Sequence, residues 1–233
     1  MRSSVWSALG NTYTVVESVD QRPLDASHVR ALVGETDGIV EVVSAGVEHM
    51  TVVIWNPDGS QAELSGNGTR IAAAWLAERT GARQISVRVG ARETHAVVLE
   101  TGEIEQELGD VQVGAREVVA DIAFVPVSVG NPHAVVTGDP ADIGDVGPLL
   151  ETHPRFPERT NVQVVRIDGP GEVTARVWER GVGETQSSGT SAVAVAAATH
   201  AGGEVVVHFP GGDLRVHLEN GRARLIGPAQ RVR

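Results

Sequence analysis

The chain has 233 residues, of which 41% are hydrophobic, enough for one large domain or two small ones with their own cores. Its net charge of −11 comes with no basic stripe and with no apolar run near the ~18 residues of a membrane span, which argues against nucleic-acid and membrane partners. It has no cysteine and no lysine, so disulfides, thiolate metal sites, thiol nucleophiles and a pyridoxal phosphate aldimine are all excluded, and no metal or cofactor is expected.

The opening Met-Arg-Ser-Ser-Val-Trp lacks the apolar stretch of a secretory signal, so a cytoplasmic protein is expected. Along the chain, Tyr13 to Glu17, Gly38 to Val43 and Met50 to Trp55 are short β-branched runs that read as strands. A Ser-Gly turn at Ser65 then opens an Ala-rich helix with small polar residues at its start. Ile85 to Leu99 alternates around Gly90-Ala91 and reads as a hairpin, and a charged strand follows. It gives way to a Gly-containing stretch near Gly109 to Ala115, where the first lobe is expected to end.

The second half repeats this order. Strands are expected at Phe124 to Val129, Ala134 to Thr137, Val162 to Ile167 and Val173 to Trp178. Ser188-Gly189 opens another Ala-rich helix, and Val205 to Leu218 forms a hairpin around Pro210-Gly211-Gly212. Ser188 follows Ser65 by 123 residues, about half the chain, which indicates two copies of a strand–turn–helix–hairpin unit. The expected fold is α/β, of the α+β type: two pseudo-symmetric lobes, each a mixed or antiparallel sheet wrapped around a central helix. The N-terminal lobe would be residues 1–113, with 226–233 returning to it. The C-terminal lobe would be 114–225, with an active site in the cleft between them.

A helix start presents backbone N–H groups without intrahelical partners, and the helix dipole makes it an anion site. Two such starts facing one carboxylate would set a hydroxyl on either side of its α-carbon, a geometry suited to removing a proton from one face and returning it to the other. Either serine could equally be an ordinary helix cap.

The flanking motifs are more specific. Ala8-Leu9-Gly10-Asn11, Trp55-Asn56-Pro57-Asp58-Gly59, Ser65-Gly66-Asn67-Gly68-Thr69-Arg70, Gly130-Asn131-Pro132-His133, Phe156-Pro157-Glu158-Arg159-Thr160-Asn161 and Glu179-Arg180-Gly181 through Ser188-Gly189-Thr190 follow in order. In these motifs the chain resembles the diaminopimelate epimerase family from residue 8 to about residue 212. The resemblance implies cofactor-independent inversion of one α-carbon of a diamino-dicarboxylic acid, with Ser65 and Ser188 as the two acid/base residues. It places the reacting carboxylate on Gly66, Asn67, Gly189 and Thr190, with Asn11 beside it. Asn56, Asn131, Asn161 and Arg180 would read the distal amino acid, with Glu179 placing an acceptor. A homodimer is the assembly it suggests.

The departure is chemical. The resembled enzymes carry Cys where this chain has Ser65 and Ser188, and a hydroxyl is a far weaker acid than a thiol of pKa ~8.5. An alkoxide needs an activating base, and His133 is the candidate the sequence offers. The expected reaction is therefore slow. Two alternatives share the scaffold: a protein that binds a diamino acid without turning it over, and a lyase or other isomerase of the same fold. Asn56 and Asn131, each beside a proline, could also simply start turns.

Overall fold

The computed structural model describes residues 2–18, 22–62 and 65–233; Glu63 and Leu64, which lead into Ser65, lie outside them. The chain divides into two compact units, one reaching to Glu107 and taking back Ile226–Arg233, the other running from Leu108 to Leu225.

In the first unit, β1 (Arg2–Ala8) and β2 (Asn11–Glu17) form an antiparallel hairpin. Helix α1 (Ala26–Leu32) carries the chain across to β3 (Ile39–Ala45), parallel to β2. The next strand, β4 (His49–Trp55), returns antiparallel. Helix α2 (Gly66–Thr80) makes a second crossover to β5 (Gln84–Val89), parallel to β4. Two antiparallel strands follow, β6 (Arg92–Val98) and β7 (Ile104–Asp110).

The second unit repeats the plan. Short strands β8 (Gln112–Val113) and β9 (Glu117–Val119) pair with β10 (Ile122–Ser128), which forms a hairpin with β11 (Pro132–Thr137). Helix α3 (Ile143–Glu151) crosses to β12 (Asn161–Gly169), parallel to β11; β13 (Glu172–Glu179) and β14 (Gly183–Thr185) are antiparallel to what precedes them. Helix α4 (Gly189–Thr199) crosses to β15 (Gly203–Phe209), parallel to β13, and β16 (Gly212–Glu219) and β17 (Arg222–Gly227) follow. The last strand, β18 (Gln230–Arg231), pairs with β1 of the first unit at Ser7 and Trp6.

The repeat extends to register. Ile39 lies opposite Trp55 in the first unit as Val162 lies opposite Trp178 in the second, the same 123-residue spacing that separates the serines. Each unit therefore has two parallel pairings, each bridged by a helix.

The second helix of each pair is buried nearly all round over its first part, three turns from Gly66 to Leu76 in α2 and about two from Gly189 to Ala196 in α4. A helix without a polar face belongs inside a core. Alanines keep these helices slim, so strands can close around them. In the first unit Ile71, Trp75 and Leu76 pack on Val40, Val52, Ile54, Ile85 and Val87, each fully buried aliphatic contributing about 1.5–3 kcal/mol.

Helices α1 and α3 were not expected from the sequence. α1 has only seven residues and depends on Asp25, whose carboxylate accepts from the backbone N–H groups of Ser27 and His28. α3 contains Gly144, Gly147 and Pro148, all poor helix formers. Packing overrides propensity: Ile143 and Leu150 are fully buried with Phe124 and Phe156, and Gly147 lies against Trp178, where a Cβ would come within 2.6 Å of the indole.

Candidate functional site

In the first unit, Ser65 caps α2. Its Oγ accepts from the Gly68 N–H at 3.0 Å, and its carbonyl accepts from the Thr69 N–H and hydroxyl. Gln106 on β7 braces this turn, donating to the Gly66 carbonyl at 2.8 Å and accepting from Thr69 Oγ1 at 3.0 Å. The Tyr13 hydroxyl lies 3.3 Å from Ser65 Oγ. Asn11 and Asn67 are buried, and Asn67 Oδ1 accepts from Arg70 Nη2 at 2.9 Å.

Arg70 is wholly buried, its other described acceptor being the Pro228 carbonyl at 3.1 Å from Nε, and its Nη1 has no hydrogen-bond partner. Burial pulls its guanidinium down to about 10, with the Tyr13 phenol acting against that, so it is a cation at neutral pH. Asn56 sits in a turn: its Nδ2 donates to Ser60 Oγ at 2.9 Å, and its N–H and C=O bond Ser60 and Gly59.

In the second unit, Ser188 holds the same position ahead of α4 but makes no capping bond, and it is buried. Gly189 and Thr190 form the buried first turn. A polar chain runs behind them. Asn131 Nδ2 approaches Thr190 Oγ1 at 3.5 Å, His133 Nε2 meets Asn131 Oδ1 at 2.9 Å, and Gln163 Nε2 reaches both His133 Nδ1 at 3.0 Å and Ser191 Oγ at 2.9 Å.

This geometry corrects the role expected of His133. Both ring nitrogens are taken, by Asn131 and Gln163, leaving none to serve a serine. Burial depresses the imidazole to about 3, the Gln163 bond acting the other way and Arg180 adding to the depression. His133 is therefore neutral, and it orients Asn131.

The Arg180 loop is held from below. Asn161 accepts from the Arg180 N–H at 3.0 Å and donates to the Pro132 carbonyl at 3.0 Å, so its amide ties two loops together. Glu151 at the end of α3 accepts from Trp178 Nε1 at 2.7 Å and the Gly181 N–H at 2.8 Å. Burial works against this carboxylate, but the Trp178, Gly181 and Arg159 donors outweigh it and hold its pKa below the usual value. Arg180 itself is exposed, one guanidinium N–H donating to the Glu158 carbonyl at 3.2 Å. Glu179 accepts the Thr185 hydroxyl at 2.7 Å.

Tyr13, Gln106, Gln163 and Glu151 are the site residues that sequence reasoning missed. One signal was available for Tyr13: it stands two residues after Asn11, as His133 stands two after Asn131, on the matching strand of each hairpin.

The sequence pattern described as diaminopimelate epimerase matches residues 3–115 and 125–232. Among curated relatives, the diaminopimelate epimerase of Desulforudis audaxviator is 35% identical, covering 96% of this chain and 94% of its own. That of Pelotomaculum thermopropionicum is 34% identical, covering 84% and 81%. Among solved structures, an epimerase of Pseudomonas aeruginosa named from prediction superposes with a TM-score of 0.76 at 18% identity, covering 100% and 97%. A hydroxyproline epimerase of Agrobacterium vitis superposes at 0.70 with 15% identity, covering 99% and 88%; both matches concern the fold alone.

Proposed function

The chain belongs to the diaminopimelate epimerase family, and from that premise we propose that it interconverts L,L- and meso-diaminopimelate by two-base proton transfer at one α-carbon. The observation that carries this reading is the matched pair of serines, each at the start of a core helix and in equivalent register. Each start offers a carboxylate the N–H groups of a buried first turn, Gly66 and Asn67 or Gly189 and Thr190. In the proposal both serve the same α-carboxylate, with Asn11 beside it, while Ser65 and Ser188 act on opposite faces of the α-carbon.

The carbanion formed by proton loss is delocalised into that carboxylate, whose growing charge the helix dipoles favour. Arg180 would clamp the distal carboxylate from a loop that Asn161 and Glu151 keep in place. Hydroxyls are poorly matched to this proton transfer, so turnover is slow. A cytoplasmic homodimer is part of the same reading.

The test is α-hydrogen exchange of diaminopimelate in heavy water, followed by proton NMR and chiral separation. Slow exchange with inversion is expected in the native chain, and a large acceleration when both serines become Cys. A double variant that folds and binds diaminopimelate without faster exchange would favour a binding protein. Loss of a β-substituent from a substituted amino acid would favour a lyase.

A further inference from the structure

The loop that carries Arg180 is a hairpin turn: Glu179 pairs with Gly183, leaving Arg180, Gly181 and Val182 between them. Its backbone is tied at each of these residues. Asn161 Oδ1 accepts the Arg180 N–H at 3.0 Å, Glu151 Oε1 the Gly181 N–H at 2.8 Å, and the Glu179 carbonyl the Val182 N–H at 3.0 Å. The returning strand β14 is tied as well, Thr185 donating to Glu179 at 2.7 Å and Arg176 to Glu184 at 2.6 Å. β14 leads through Gln186 and Ser187 to Ser188, so one short braced segment of the second unit joins Arg180 to the first turn of α4.

Glu151 is the costly member of this set. It is buried, and it ends α3, where the helix dipole disfavours an anion. Burial opposes its charge too, yet the Trp178, Gly181 and Arg159 donors outweigh that. Anchoring an indole does not require such a placement. At the equivalent register of the first unit, Glu41 on β3 accepts from Trp55 Nε1 at 2.9 Å, and its other donor is the Leu24 N–H at 2.8 Å. The turn after Trp55 is tied within itself, through Asn56, Asp58 and Ser60. Glu151 differs in gripping the loop that follows its tryptophan.

We propose that Glu151 is a positioning residue that sets the length of diamino-dicarboxylic acid the site accepts, by fixing the reach of Arg180 from the start of α4. The proposal rests on the epimerase reading, in which Arg180 takes the distal carboxylate while Gly189 and Thr190 help to hold the reacting one. Contacts to both ends of the ligand then lie within one unit, and the ties of the loop set their separation. Glu151 acts through Arg180 rather than on the ligand. A Gly181 N–H deprived of its acceptor would release the turn, and Arg180 would then meet ligands of other lengths.

The test is selectivity, read by calorimetric titration with diaminopimelate and with the diamino-dicarboxylic acids one methylene shorter and longer. The native chain should prefer diaminopimelate over either homologue by about tenfold or more. Glu151→Gln keeps the shape, but its carbonyl oxygen fills one of the two oxygen positions that Trp178 and Gly181 use. It should weaken diaminopimelate binding about tenfold and narrow the preference to about threefold or less. In an Arg180→Ala background the same change should cost less than about twofold, because the two residues act as one unit. Adding Trp178→Phe to Glu151→Gln removes the competing indole N–H, leaves the carbonyl to Gly181, and should restore the preference; this double variant also carries the test if the single one fails to fold. Equal loss of affinity for all three acids, the mark of a merely structural role, overturns the proposal. So does native selectivity in folded Glu151→Gln, a full tenfold loss without Arg180, or no recovery with Trp178→Phe. A native chain that selects diaminopimelate yet exchanges no α-hydrogen overturns the epimerase chemistry and supports the length selection, whereas one that binds none of the three acids overturns both.

Discussion

At the residue scale, burial decides which ionisable groups can do chemistry. His133 has the side chain most often used as a general base, but its depressed pKa makes it a liability in acid instead. The unfolded chain binds a proton there below about 6.5 and the folded chain only near 3. The unfolded state therefore holds more protons between those values, and stability falls as pH falls through that window. From pH 7 to pH 5 the loss from this group should be about 2 kcal/mol. Urea unfolding of the native chain and His133→Gln at both pH values should show the variant losing less; equal losses would mean that the imidazole is accessible to protons while folded.

Arg180 is the opposite case, an exposed cation whose one described side-chain bond is to the Glu158 carbonyl. Its removal should cost little folding stability. Loss of a bidentate contact to a ligand carboxylate should instead weaken diaminopimelate binding by a few kcal/mol, roughly 100-fold. Calorimetric titration of Arg180→Ala checks this, and native affinity there would show that the distal carboxylate is held elsewhere.

At the element scale, the two core helices start with the same dipeptide and differ in what the serine does. Ser65 accepts from the Gly68 N–H and caps α2, whereas the Ser188 hydroxyl makes no such bond. Ser65→Ala should therefore cost about 1 kcal/mol of stability, and Ser188→Ala only a few tenths. Thermal melts of the two single variants without substrate make the comparison. Equal losses would show that the caps are equivalent in solution.

At the scale of the whole molecule, the chain closes the first unit with its last residues. β18 pairs with β1, the Arg233 carbonyl accepts from the Val5 N–H at 2.8 Å, and the Pro228 carbonyl accepts from the buried Arg70. Deleting residues 228–233 strips a strand from β1 and an acceptor from a buried guanidinium, a loss of about 1–3 kcal/mol for the latter alone. Hydrogen exchange read by mass spectrometry should show lost protection in residues 2–107, with 114–221 protected as before. Equal deprotection of both regions would mean that the two units unfold as one.

The sequence alone determined the elements whose signals are local: β-branched or alternating runs in β2 to β6, β10 to β13, β15 and β16, and the two Ser-Gly helix starts, where small polar residues precede an unbroken run of helix formers. It also carried the two-fold repeat and the family, because ordered motifs survive without any knowledge of contacts. The tertiary structure decided the rest. α3 forms against its own propensity because Ile143 and Leu150 are buried and Gly147 admits Trp178. His133 is neutral because burial and two amides surround it. Tyr13 meets Ser65 across 52 residues because Gly38 leaves room for its ring, and Arg70 is a buried cation because α2 is buried where that residue falls. Each depends on strand register and on desolvation, which arise only when distant segments pack.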